Sequence, residues 1–352
     1  MKIGIILVNY KDYAQKFLAD CLQSIRSLDS ALPVDLFIVD NASSLETEQY
    51  LKAQAPEARL ILNQHNDGFA KGNNDALRVM IEEAYDYAVL LNMDAQLTPQ
   101  AITEMLKVAE SNQEIAAVQA RLMLAQDHGK INSLGNMTHF LGFGYCQAYG
   151  DADRLNYQTS ADIAYPSGAC VMLKIKALES VGLFDEKLWM YNEDQDLGWR
   201  FWLQGWRCAI ALQAVAYHHY EFSRSISKYY WLERNRLIVA WKNYATLSLI
   251  LFFPALVIME IALLIFSLRS GWFLKKVQAI LYFFNPLNWP YLIKARREVQ
   301  KKRQRRDYEI LHLFSGAIAY QEIDNFLLKR IANPVFTLYF QLMRRVISWF
   351  KQ

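Results

Sequence analysis

The first third of the chain alternates short apolar segments with amphipathic ones, and this alternation constrains the fold more than any other feature. The apolar segments have the length of buried β-strands and lie at Ile3–Val8, Asp35–Asp40, Arg59–Leu62, Tyr87–Leu91 and Ala116–Ala120. The segments with helical periodicity lie between them at Phe17–Leu28, Thr47–Gln54, Gly72–Ala84 and Pro99–Glu110. This order predicts an α/β domain with a mostly parallel central sheet.

Polar side chains follow several of these strands at the point where each strand ends. They are Asn9-Tyr10, Asp40-Asn41, Asn63 with Asn66, and Asn92-Met93-Asp94. Because ligands of open α/β sheets bind beyond the carboxyl ends of the strands, we expect these side chains to face one site. A carboxylate at the end of a buried strand suits a hard divalent cation, so Asp94 is a candidate metal ligand. The alternative is a strand-end turn that Asp94 caps.

The segment from Asn66 to Asn74 contains two glycines, which permit close approach of the backbone, and it is predicted to open a helix near Gly72. A helix N-terminus beside glycines binds anions readily. The segment has neither the GxxxxGK[ST] pattern nor the GxGxxG pattern, so it is neither a P-loop nor a dinucleotide fingerprint. A plain turn with an N-cap explains the same residues, so the spacing alone leaves both interpretations open.

Five carboxylates and one arginine lie between Phe184 and Arg200, interleaved with large apolar residues. Three of the acids, Glu193, Asp194 and Asp196, are crowded together. Burying acids this close to one another is costly unless a cation, a partner or a proton relieves their repulsion. The pattern therefore indicates a carboxylate held in an apolar wall, either to move protons or to face a metal-bound anion.

His218 and His219 follow an apolar strand predicted at Ala209–Tyr217. Adjacent residues on a strand point to opposite faces of the sheet, so we expect at most one of the two imidazoles to enter the site. A metal ligand and a structural histidine are both compatible with this pattern.

Taken in order, these segments resemble the family 2 glycosyltransferases with the GT-A fold, and within them the rhamnosyltransferase-like branch that builds bacterial surface polysaccharides. The segments that resemble its nucleotide-sugar region are Val39–Ser43, Asn66–Asn74 and Leu91–Asp94. Those that resemble its acceptor and catalytic regions are Ser167–Ala169, Phe184–Glu186, Tyr191–Leu197 with Arg200, and His218. The resemblance covers residues 1–240 and continues weakly beyond them.

The resemblance implies a role for each matching residue. A nucleoside-diphosphate-sugar donor would be bound by Asn9, Asp40, Asn41, Asn66, Gly68, Phe69, Asn73, Asn92 and Asp94. A saccharide acceptor would be bound by Ser167, Gly168, Trp189, Tyr191 and Arg200. Asp194 would be the general base, with Glu193 and Asp196 as catalytic neighbours that set its field, and Arg200 would pair with one of these acids.

A divalent cofactor, Mg²⁺ or Mn²⁺, is also implied on the donor diphosphate, with Asp94 and His218 as ligands. The metal motif of GT-A enzymes is often written with two aspartates, and Asn92 stands at the first of these positions, which leaves Asp94 as its carboxylate ligand. Such an ion neutralises the charge of the leaving diphosphate. An acceptor hydroxyl that loses its proton to Asp194 while attacking the anomeric carbon gives a single displacement with inversion.

Residues 125–160 are rich in Gly, Asn, Asp and Tyr and show little periodicity. We expect them to form a long, partly ordered excursion that covers the site, because a glycosyl donor is hydrolysed unless water is excluded. Trp189, Tyr191 and Trp199 are candidates for the same cover and for stacking on sugars. A role of the tryptophans in packing alone is the alternative.

The composition of the chain changes after about residue 225, where long apolar runs replace the alternating segments. Residues 1–225 are therefore predicted to form the catalytic domain and residues 226–352 a helical region. Leu247–Leu268 is nearly all apolar, a second apolar run covers Val277–Tyr291, and residues 294–306 contain eight basic residues and one acid. The sequence favours apolar helices over about 247–292 that lie in the membrane interface, with the basic block on anionic head groups.

Leu247–Leu268 has the length of a transmembrane helix. Glu260 lies within it, however, at a cost of about 2.5–3.5 kcal/mol if it sits near the bilayer centre, and Pro254 interrupts its first half. An inserted hairpin and a soluble helical cap remain as alternatives to interfacial helices. The basic block lacks interleaved aromatic residues, which disfavours nucleic acid as its partner.

The N-terminal run Met1–Tyr10 is too short for a signal peptide and contains no cleavage site. The four cysteines are far apart and have no metal-ligand spacing, so they are predicted to be free thiols in a reducing compartment. These features place the protein, by prediction, at the cytoplasmic face of the inner membrane, and they leave its oligomeric state open.

The resemblance leaves the donor sugar open among rhamnose, galactofuranose and a hexose, and it implies a lipid-linked saccharide as the acceptor. A non-catalytic protein that binds glycans or nucleotide sugars on the same fold is the competing hypothesis, although it would need no general base. A processive polysaccharide synthase would carry a QxxRW motif and several membrane spans, and the chain shows neither.

Overall fold

The structure, a computed structural model, describes residues 1–29, 33–153, 160–220, 228–318, 326 and 328–350. The strands within these residues are β1 (Ile3–Tyr10), β2 (Val34–Asn41), β3 (Arg59–Asn63), β4 (Tyr87–Leu91), β5 (Ala95–Leu97), β6 (Ile115–Leu124), β7 (Asp127–Ser133), β8 (Asn136–His139), β9 (Gly144–Cys146), β10 (Ser160–Asp162), β11 (Cys170–Lys174), β12 (Arg207–His218) and β13 (Phe314–Ser315). The α-helices are α1 (Tyr13–Arg26), α2 (Leu45–Gln54), α3 (Gly68–Glu82), α4 (Ala101–Ser111), α5 (Ile175–Val181), α6 (Glu193–Leu203), α7 (Lys228–Asn243), α8 (Thr246–Arg269), α9 (Phe273–Phe284), α10 (Trp289–Lys302), α11 (Asp307–Ile310) and α12 (Asn333–Trp349). Single turns of 3-10 or π helix lie at Glu186–Leu188, Pro286–Asn288, Leu311–Leu313 and Leu328–Ala332.

A ten-stranded sheet forms the centre of the described part of the chain, in the order β10-β12-β6-β11-β4-β1-β2-β3, with β5 attached to β12 and β7 attached to β6. Strands β3, β2, β1 and β4 are parallel, and β6 is parallel to β12. β11 runs antiparallel between β4 and β6, because the chain re-enters the sheet at the end where β4 leaves it. The predicted α/β architecture with a helical C-terminal region is confirmed.

Side chains of the central strands alternate between two apolar cores, one on each face of the sheet. Ile3, Ile5 and Leu7 of β1 belong to the core that α1 and α4 cover, whereas Ile6 belongs to the core that α3 and α6 cover. All four are 1% exposed or less. Helices on both faces therefore fix the strands, and the polar residues that follow the strands are held in place by both cores.

Two segments differ from the expectation drawn from the sequence. α3 begins at Gly68 instead of near Gly72, because the chain makes its turn into the helix at Gly68, whose φ is 85°. Residues 125–153 are more regular than the partly ordered excursion that was expected, since β7 pairs with β6 while β8 pairs with both β9 and β13 in a second, small sheet. Strands of three to seven residues give too few repeats for periodicity to identify them. Residues 154–159 of the same segment lie outside the described residues.

Helix α8 lies along the protein with one face covered. Its buried residues Ser248, Phe252, Ala255 and Met259 recur at helical spacing. Within the described ranges, α8 is the one helix long and apolar enough to cross a bilayer, with a mean hydropathy of 2.8 over its most apolar window, of which 17% is buried. Length and composition alone are weak evidence for a span. The predicted domain boundary at residues 225 and 226 lies outside the described residues and stays a prediction.

Candidate active site

A cavity of about 560 Å³ opens at the carboxyl ends of β1, β2, β4 and β12. The predicted site residues that line it are Asn41, Asn66, Gly68, Phe69, Asn92, Asp94, Ser167, Gly168, Tyr191, Glu193, Asp194 and His218. The predicted site residues outside its lining are Asn9, Asp40, Asn73, Trp189, Asp196 and Arg200. The strand ends and the acidic cluster, which are distant in sequence, thus share one enclosed space.

Asp94 and His218 face each other in this cavity, and both are nearly buried. Oδ1 of Asp94 lies 3.3 Å from Nε2 of His218, and the hydroxyl of Tyr13 donates to Oδ2 of Asp94. Nδ1 of His218 lies 2.9 Å from Oδ1 of Asn132. Because an amide oxygen only accepts, the ring proton is assigned to Nδ1, and Nε2 presents a lone pair to Asp94.

Two acceptors 3.3 Å apart repel each other unless a cation or a proton lies between them. The donor set of one carboxylate and one imidazole therefore fits a divalent cation. Within the described ranges no group of three His, Cys, Asp or Glu side chains comes together, so further ligands to an ion here would come from substrate and water.

His219 also lines the cavity, contrary to the expectation that at most one of the paired histidines would do so. Strand β12 ends at His218, and the strict alternation of side chains between two faces ends with the strand. The expectation was wrong because it extended the strand by one residue.

Asp194 is the second residue of α6 and forms no ion pair with any residue that the structure describes. Its Oδ1 accepts the backbone N–H of Gln195 at 2.7 Å, and its Oδ2 accepts the backbone N–H of Gly168 at 3.3 Å. Withdrawal from water raises the pKa of Asp194 to about 6, although the backbone donors offset part of the effect. A carboxylate with such a pKa is mostly ionised at neutral pH and accepts a proton well, which suits a general base.

Glu193 is 6% exposed, and its Oε2 has no hydrogen-bond partner among the described residues. Burial, and next to it the charge of Asp194, raises the pKa of Glu193 well above its usual range. This shift favours the neutral form of Glu193, which adds no second negative charge beside Asp194.

Asp196 is fully buried, on the other side of α6 from the cavity. It accepts hydrogen bonds from Nε of Arg200 at 2.9 Å and Nδ2 of Asn243 at 2.9 Å, and Nζ of Lys242 lies 3.0 Å away. The predicted pairing of Arg200 with one of the acids is thus present in the structure. With all its partners inside the protein, Asp196 anchors α6 to α7 and does not face the cavity.

Arg200 does not reach the space where an acceptor would lie. Besides Asp196, its guanidinium donates to the carbonyl oxygens of Val181, Gly182 and Leu183 at 2.8 to 3.1 Å. The structure therefore gives Arg200 a structural role and no access to a substrate.

The strand-end residues Asn9 and Asp40 lie directly behind the cavity wall. Nδ2 of Asn9 donates to Oδ1 of Asp40 at 2.7 Å, and Oδ1 of Asn9 accepts the N–H of Ala14 at 2.8 Å. Asp40 is 1% exposed, and its Oδ2 has no hydrogen-bond partner among the described residues. Asn41, the next residue, does line the cavity and donates to the carbonyl of Gly68 at 3.1 Å.

The N-terminus of α3 borders the cavity at Gly68 and Phe69. A side chain at Gly68 would collide with Trp189, whose backbone oxygen would lie 2.4 Å from the added Cβ. Nε1 of Trp189 donates to the carbonyl of Asn66 at 3.3 Å, so Trp189 holds this loop from behind. Asn73 is buried, and its amide donates to the carbonyl of Phe69 within the helix.

Tyr191, Ser167 and Gly168 lie on the side of the cavity that carries Asp194. Ser167 donates its N–H to the side chain of Gln119 at 2.7 Å, and Gly168 packs against the ring of Phe69. Trp199 is 2% exposed and packs edge-on against Tyr244 and Phe314. Trp199 therefore serves packing, and the idea that it covers the site or stacks on a sugar is wrong.

Several cavity residues carried no recognisable signal in the sequence. They are Tyr13, Asn136, Tyr145, Cys146, Tyr149, Tyr165, Tyr220, Lys228 and Leu232. The tyrosines come from a helix, from the second sheet and from loops, so no spacing connects them. The density of tyrosine and glycine in residues 125–160 was the one available hint, and it was interpreted as a cover without naming its residues.

The sequence matches the family model described as Glycosyl transferase family 2 over residues 4–182, which is just over half of the chain. It is 27% identical over 238 residues to the N-acetylglucosaminyl-diphospho-decaprenol L-rhamnosyltransferase of Mycobacterium tuberculosis, covering 62% of this chain and 76% of that protein. The family match contains the strand-end residues Asn9, Asp40 and Asp94 and extends through β11, and it ends before the acidic cluster that contains Asp194.

Two solved structures have a similar fold. One is a crystal structure of GalNAc-T7 with UDP, GalNAc and Mn²⁺, with a TM-score of 0.53 and 10% identity; the match covers 68% of this chain and 48% of that one, so this chain spans about half its length. The other is the mannosyltransferase PcManGT from Pyrobaculum calidifontis with GDP-Man and Mn²⁺, with a TM-score of 0.50, 14% identity, and 100% and 88% coverage. At these identities the likeness shows the fold alone.

Proposed function

This chain belongs to glycosyltransferase family 2 and is a glycosyltransferase with the GT-A fold, and we propose that it transfers a sugar from a nucleoside diphosphate to a hydroxyl of a lipid-linked saccharide. The observation that carries the proposal is the shared cavity. The same cavity is lined by the pair Asp94 and His218 and by Asp194, whose pKa is raised. A phosphate-neutralising centre and a proton acceptor are the two groups that such a transfer requires.

The donor is proposed to bind along the carboxyl ends of β1, β2 and β4. Asn41 and the start of α3 would face its nucleotide and phosphate parts, because a helix N-terminus with glycine attracts anions. A divalent cation held by Asp94 and His218 would neutralise the leaving diphosphate when bound. Both solved relatives carry Mn²⁺ with their nucleotide or nucleotide sugar, which supports a divalent ion and leaves Mg²⁺ open as well.

Asp194 is proposed to take the proton of the acceptor hydroxyl as its oxygen attacks the anomeric carbon. The bond from the anomeric carbon to the diphosphate breaks while the new glycosidic bond forms, so one base and one displacement give inversion. Gly168 and Gln195 fix the carboxylate through their N–H groups. The raised pKa of Glu193 favours its neutral form, so the proton transfer is assigned to Asp194, whose pKa is raised to about 6.

The acceptor is proposed to be a polyprenyl-diphospho-saccharide of cell-surface polysaccharide assembly, because the Mycobacterium tuberculosis relative is named for such a substrate. Rhamnose is the first donor sugar to test for the same reason, followed by galactofuranose and the hexoses. A substrate of this kind lies in a membrane, so the catalytic cavity must meet a lipid surface.

Helix α8 is proposed to provide that contact by lying flat in the cytoplasmic interface. Its outward residues Ile250, Phe253, Ile258, Ile261 and Ile265 are all more than half exposed and form one continuous stripe. Glu260 lies at the edge of this stripe, with its side chain 21% exposed, and pairs with Arg236 and Lys276 of the neighbouring helices. A helix anchored at its middle to charged residues of α7 and α9 lies on a bilayer and does not cross it.

The basic block contributes to this surface only in part. Lys294, Arg297 and Lys301 have exposed side chains that can meet anionic head groups. Lys302 is also exposed, but its ammonium donates to the carbonyl oxygen of Ser180 at 2.8 Å. Other members of the block are used by the fold: Arg296, Arg303 and Arg305 donate to backbone carbonyls of α7 and of the residues around α6.

The catalytic proposal is tested by screening nucleotide sugars in a thermal-shift assay with Mg²⁺, Mn²⁺ or EDTA, followed by transfer assays with undecaprenyl-diphospho-N-acetylglucosamine. We expect one donor class to stabilise the wild type only with metal, and Asp94→Asn to remove that metal dependence. Retention of the anomeric configuration in the product, determined by NMR, would contradict the single displacement. Donor binding without any transfer or hydrolysis would favour the non-catalytic alternative.

Membrane attachment is tested by flotation with vesicles of phosphatidylglycerol and phosphatidylethanolamine at low and high salt. We expect the wild type to float and Ile258→Glu with Ile261→Glu to remain in the soluble fraction. Leu45→Glu, which places one negative charge at an exposed leucine of α2, is the control and should float. If the wild type stays soluble at every salt concentration, the proposed membrane contact is wrong, while the transfer assay still decides the catalytic part.

A further inference from the structure

The backbone immediately before α6 adopts an unfavourable conformation. Trp189, Tyr191 and Asn192 have φ values of 64°, 69° and 64°, in the left-handed region that non-glycine residues rarely occupy. Three such residues within four positions persist only where the surrounding structure holds them. Asn192 is the residue that precedes α6, so this turn determines where Glu193 and Asp194 lie.

Asn235 of α7 supplies hydrogen bonds to this turn. The residue is fully buried, and its Nδ2 donates to the carbonyl oxygens of Leu188, Met190 and Tyr191 at 2.8, 2.9 and 2.7 Å. The three carbonyls converge on one amide nitrogen because the left-handed turn folds them inward. An extended or helical backbone would point them in different directions, so the contacts are specific to the strained conformation.

Arg234 fixes the orientation of that amide. Its guanidinium donates to Oδ1 of Asn235 at 2.7 and 2.9 Å, and to the carbonyl oxygens of Lys187 at 2.6 Å and Leu188 at 3.3 Å. With Oδ1 used by an arginine, only the NH₂ group of Asn235 faces the turn. The two residues together donate to four of the carbonyl oxygens that lead up to Asn192.

Neither residue lines the cavity, so neither touches a substrate there. The turn that they hold does, because Met190, Tyr191 and Asn192 form one wall of the cavity next to Asp194. Trp189 in the same turn also bonds Asn66 and Ala70 at the donor side. The turn therefore connects the proposed base to the donor loop, and α7 holds it from behind.

We propose that Asn235, oriented by Arg234, is a positioning residue that keeps the turn at residues 188–192 in its left-handed conformation and thereby places Asp194 for proton transfer. The second half of this statement rests on the proposed function of Asp194. The first half concerns the backbone alone and is tested without any substrate.

The test uses the full chain carrying Asn235→Asp, which preserves the shape of the side chain but turns an acceptor oxygen toward carbonyl oxygens. Hydrogen–deuterium exchange at pH 7 should show the amides of residues 186–196 exchanging at least tenfold faster than in the wild type, with other segments changed less. The control is Leu22→Ala, which destabilises the core on the opposite face of the sheet and should leave that segment unchanged relative to the rest. Equal exchange in Asn235→Asp and wild type would overturn the proposal.

If Asn235→Asp does not fold, Arg234→Met replaces it, because methionine has no donor for Oδ1 of Asn235 or for the carbonyl oxygens of Lys187 and Leu188. At least threefold faster exchange, confined to the same segment, is then expected, and unchanged exchange would overturn the proposal. In transfer assays, kcat per folded molecule should fall at least tenfold in whichever of these two variants folds, and less than twofold in Leu22→Ala. Faster exchange with unchanged kcat would overturn the positioning of Asp194, whereas transfer by Asp194→Asn at the wild-type rate would overturn the proposed base instead.

Discussion

The carboxylates of the cavity and the carboxylates behind it differ in what surrounds them. Glu193 and Asp194 have no cation within ion-pair distance in the described structure, and burial raises the pKa of both. Asp185 and Asp196, behind α6, share the ammonium of Lys242, at 2.6 and 3.0 Å. Burial alone would raise the pKa of Asp185 too, but Lys242, Tyr291 and Arg200 outweigh it and lower that pKa.

The difference separates carboxylates that suit proton transfer from carboxylates that stabilise the fold, although Asp194 and Asp196 lie in the same helix. A buried carboxylate that is fully paired stabilises the fold and has no reason to change its protonation state. A buried carboxylate without a cation destabilises the fold when it ionises, yet that same cost makes it a stronger base. The cavity therefore holds the acids that a transferase would use, and the layer behind it holds the acids that keep α6 and α7 together.

The largest expected effect is on catalysis. Asp194→Asn should lower the rate of transfer by about 10² to 10⁴, the usual contribution of a general base. The same change should raise the free energy of unfolding at pH 8 on the order of 2 kcal/mol, because it removes a buried charge that the fold disfavours. Transfer rates and urea unfolding on the same preparation check both, and a stability loss of that size would show that Asp194 belongs with the paired acids.

The next largest effect is expected at Asp196, two residues after Asp194, and it is on the free energy of unfolding. Asp196→Asn leaves Lys242 and Arg200 without one of their buried partners and should cost about 3 kcal/mol of unfolding free energy. Activity per folded molecule should change far less than in Asp194→Asn. An Asp196 variant that is stable but inactive would contradict the division between the two groups of acids.

A third experiment tests, in the C-terminal helices, whether buried ion pairs stabilise the fold more than exposed ones do. Lys276 of α9 is fully buried and lies 2.7 Å from Glu260, and it also pairs with Glu233. Lys276→Met should cost about 2 kcal/mol, since it leaves two carboxylates to Arg236 alone. Lys52→Met, which removes an exposed pair with Glu48, is the control and should cost less than about 0.5 kcal/mol. Equal losses would show that burial does not set the strength of these pairs.

The smallest expected effect is in the pH profile. Asp194 must be ionised to accept a proton, and its pKa is raised to about 6, so kcat/KM should be level above that pH and fall about tenfold per unit below it. The pKa of Asp185 is lowered, so its stabilising contribution is present above the usual carboxyl range and is lost only as pH falls through its depressed pKa. The decline in rate between pH 6 and 5 should therefore be reversible, with an unchanged circular dichroism spectrum.

A rate that stays level down to pH 5 would place the titrating group among the low-pKa acids and contradict the assignment of Asp194. The Asp194→Asn variant provides the control, because its residual rate should not fall as the pH is lowered through 6.

Much of the fold was predictable because periodicity depends on neighbours along the chain. The five strands predicted before residue 121 coincide with β1, β2, β3, β4 and β6, and four helices follow in the predicted places. The antiparallel insertion of β11 was not predictable, because the sequence of Cys170–Lys174 is apolar in either direction. The small sheet of β8, β9 and β13 was missed because its third strand lies far away in sequence, near the C-terminus.

The candidate site was predictable where its residues follow the end of a strand. Asp94 lies three residues after the end of β4, and the carboxyl end of that strand faces the cavity. Asn132 and Tyr13, which hold His218 and Asp94, have no local pattern and are recognisable only once the strands are paired. Asn235 was missed because it lies in the charged run Glu233–Arg236, which the sequence alone does not distinguish from a solvent-exposed turn of α7, and only the structure shows that all four side chains are buried.

The sequence by itself determined the α/β architecture, the presence of a crowded acid cluster and the position of Asp94. It also limited which acids share a helix face, since Asp194 and Asp196 lie about 200° apart at about 100° per residue. Only the tertiary structure decided which face is turned to the cavity. Lys242 and Asn243 come from a helix that is distant in sequence and pair with Asp196. That pairing turns Asp194 to the cavity, where none of the described side chains forms an ion pair with it.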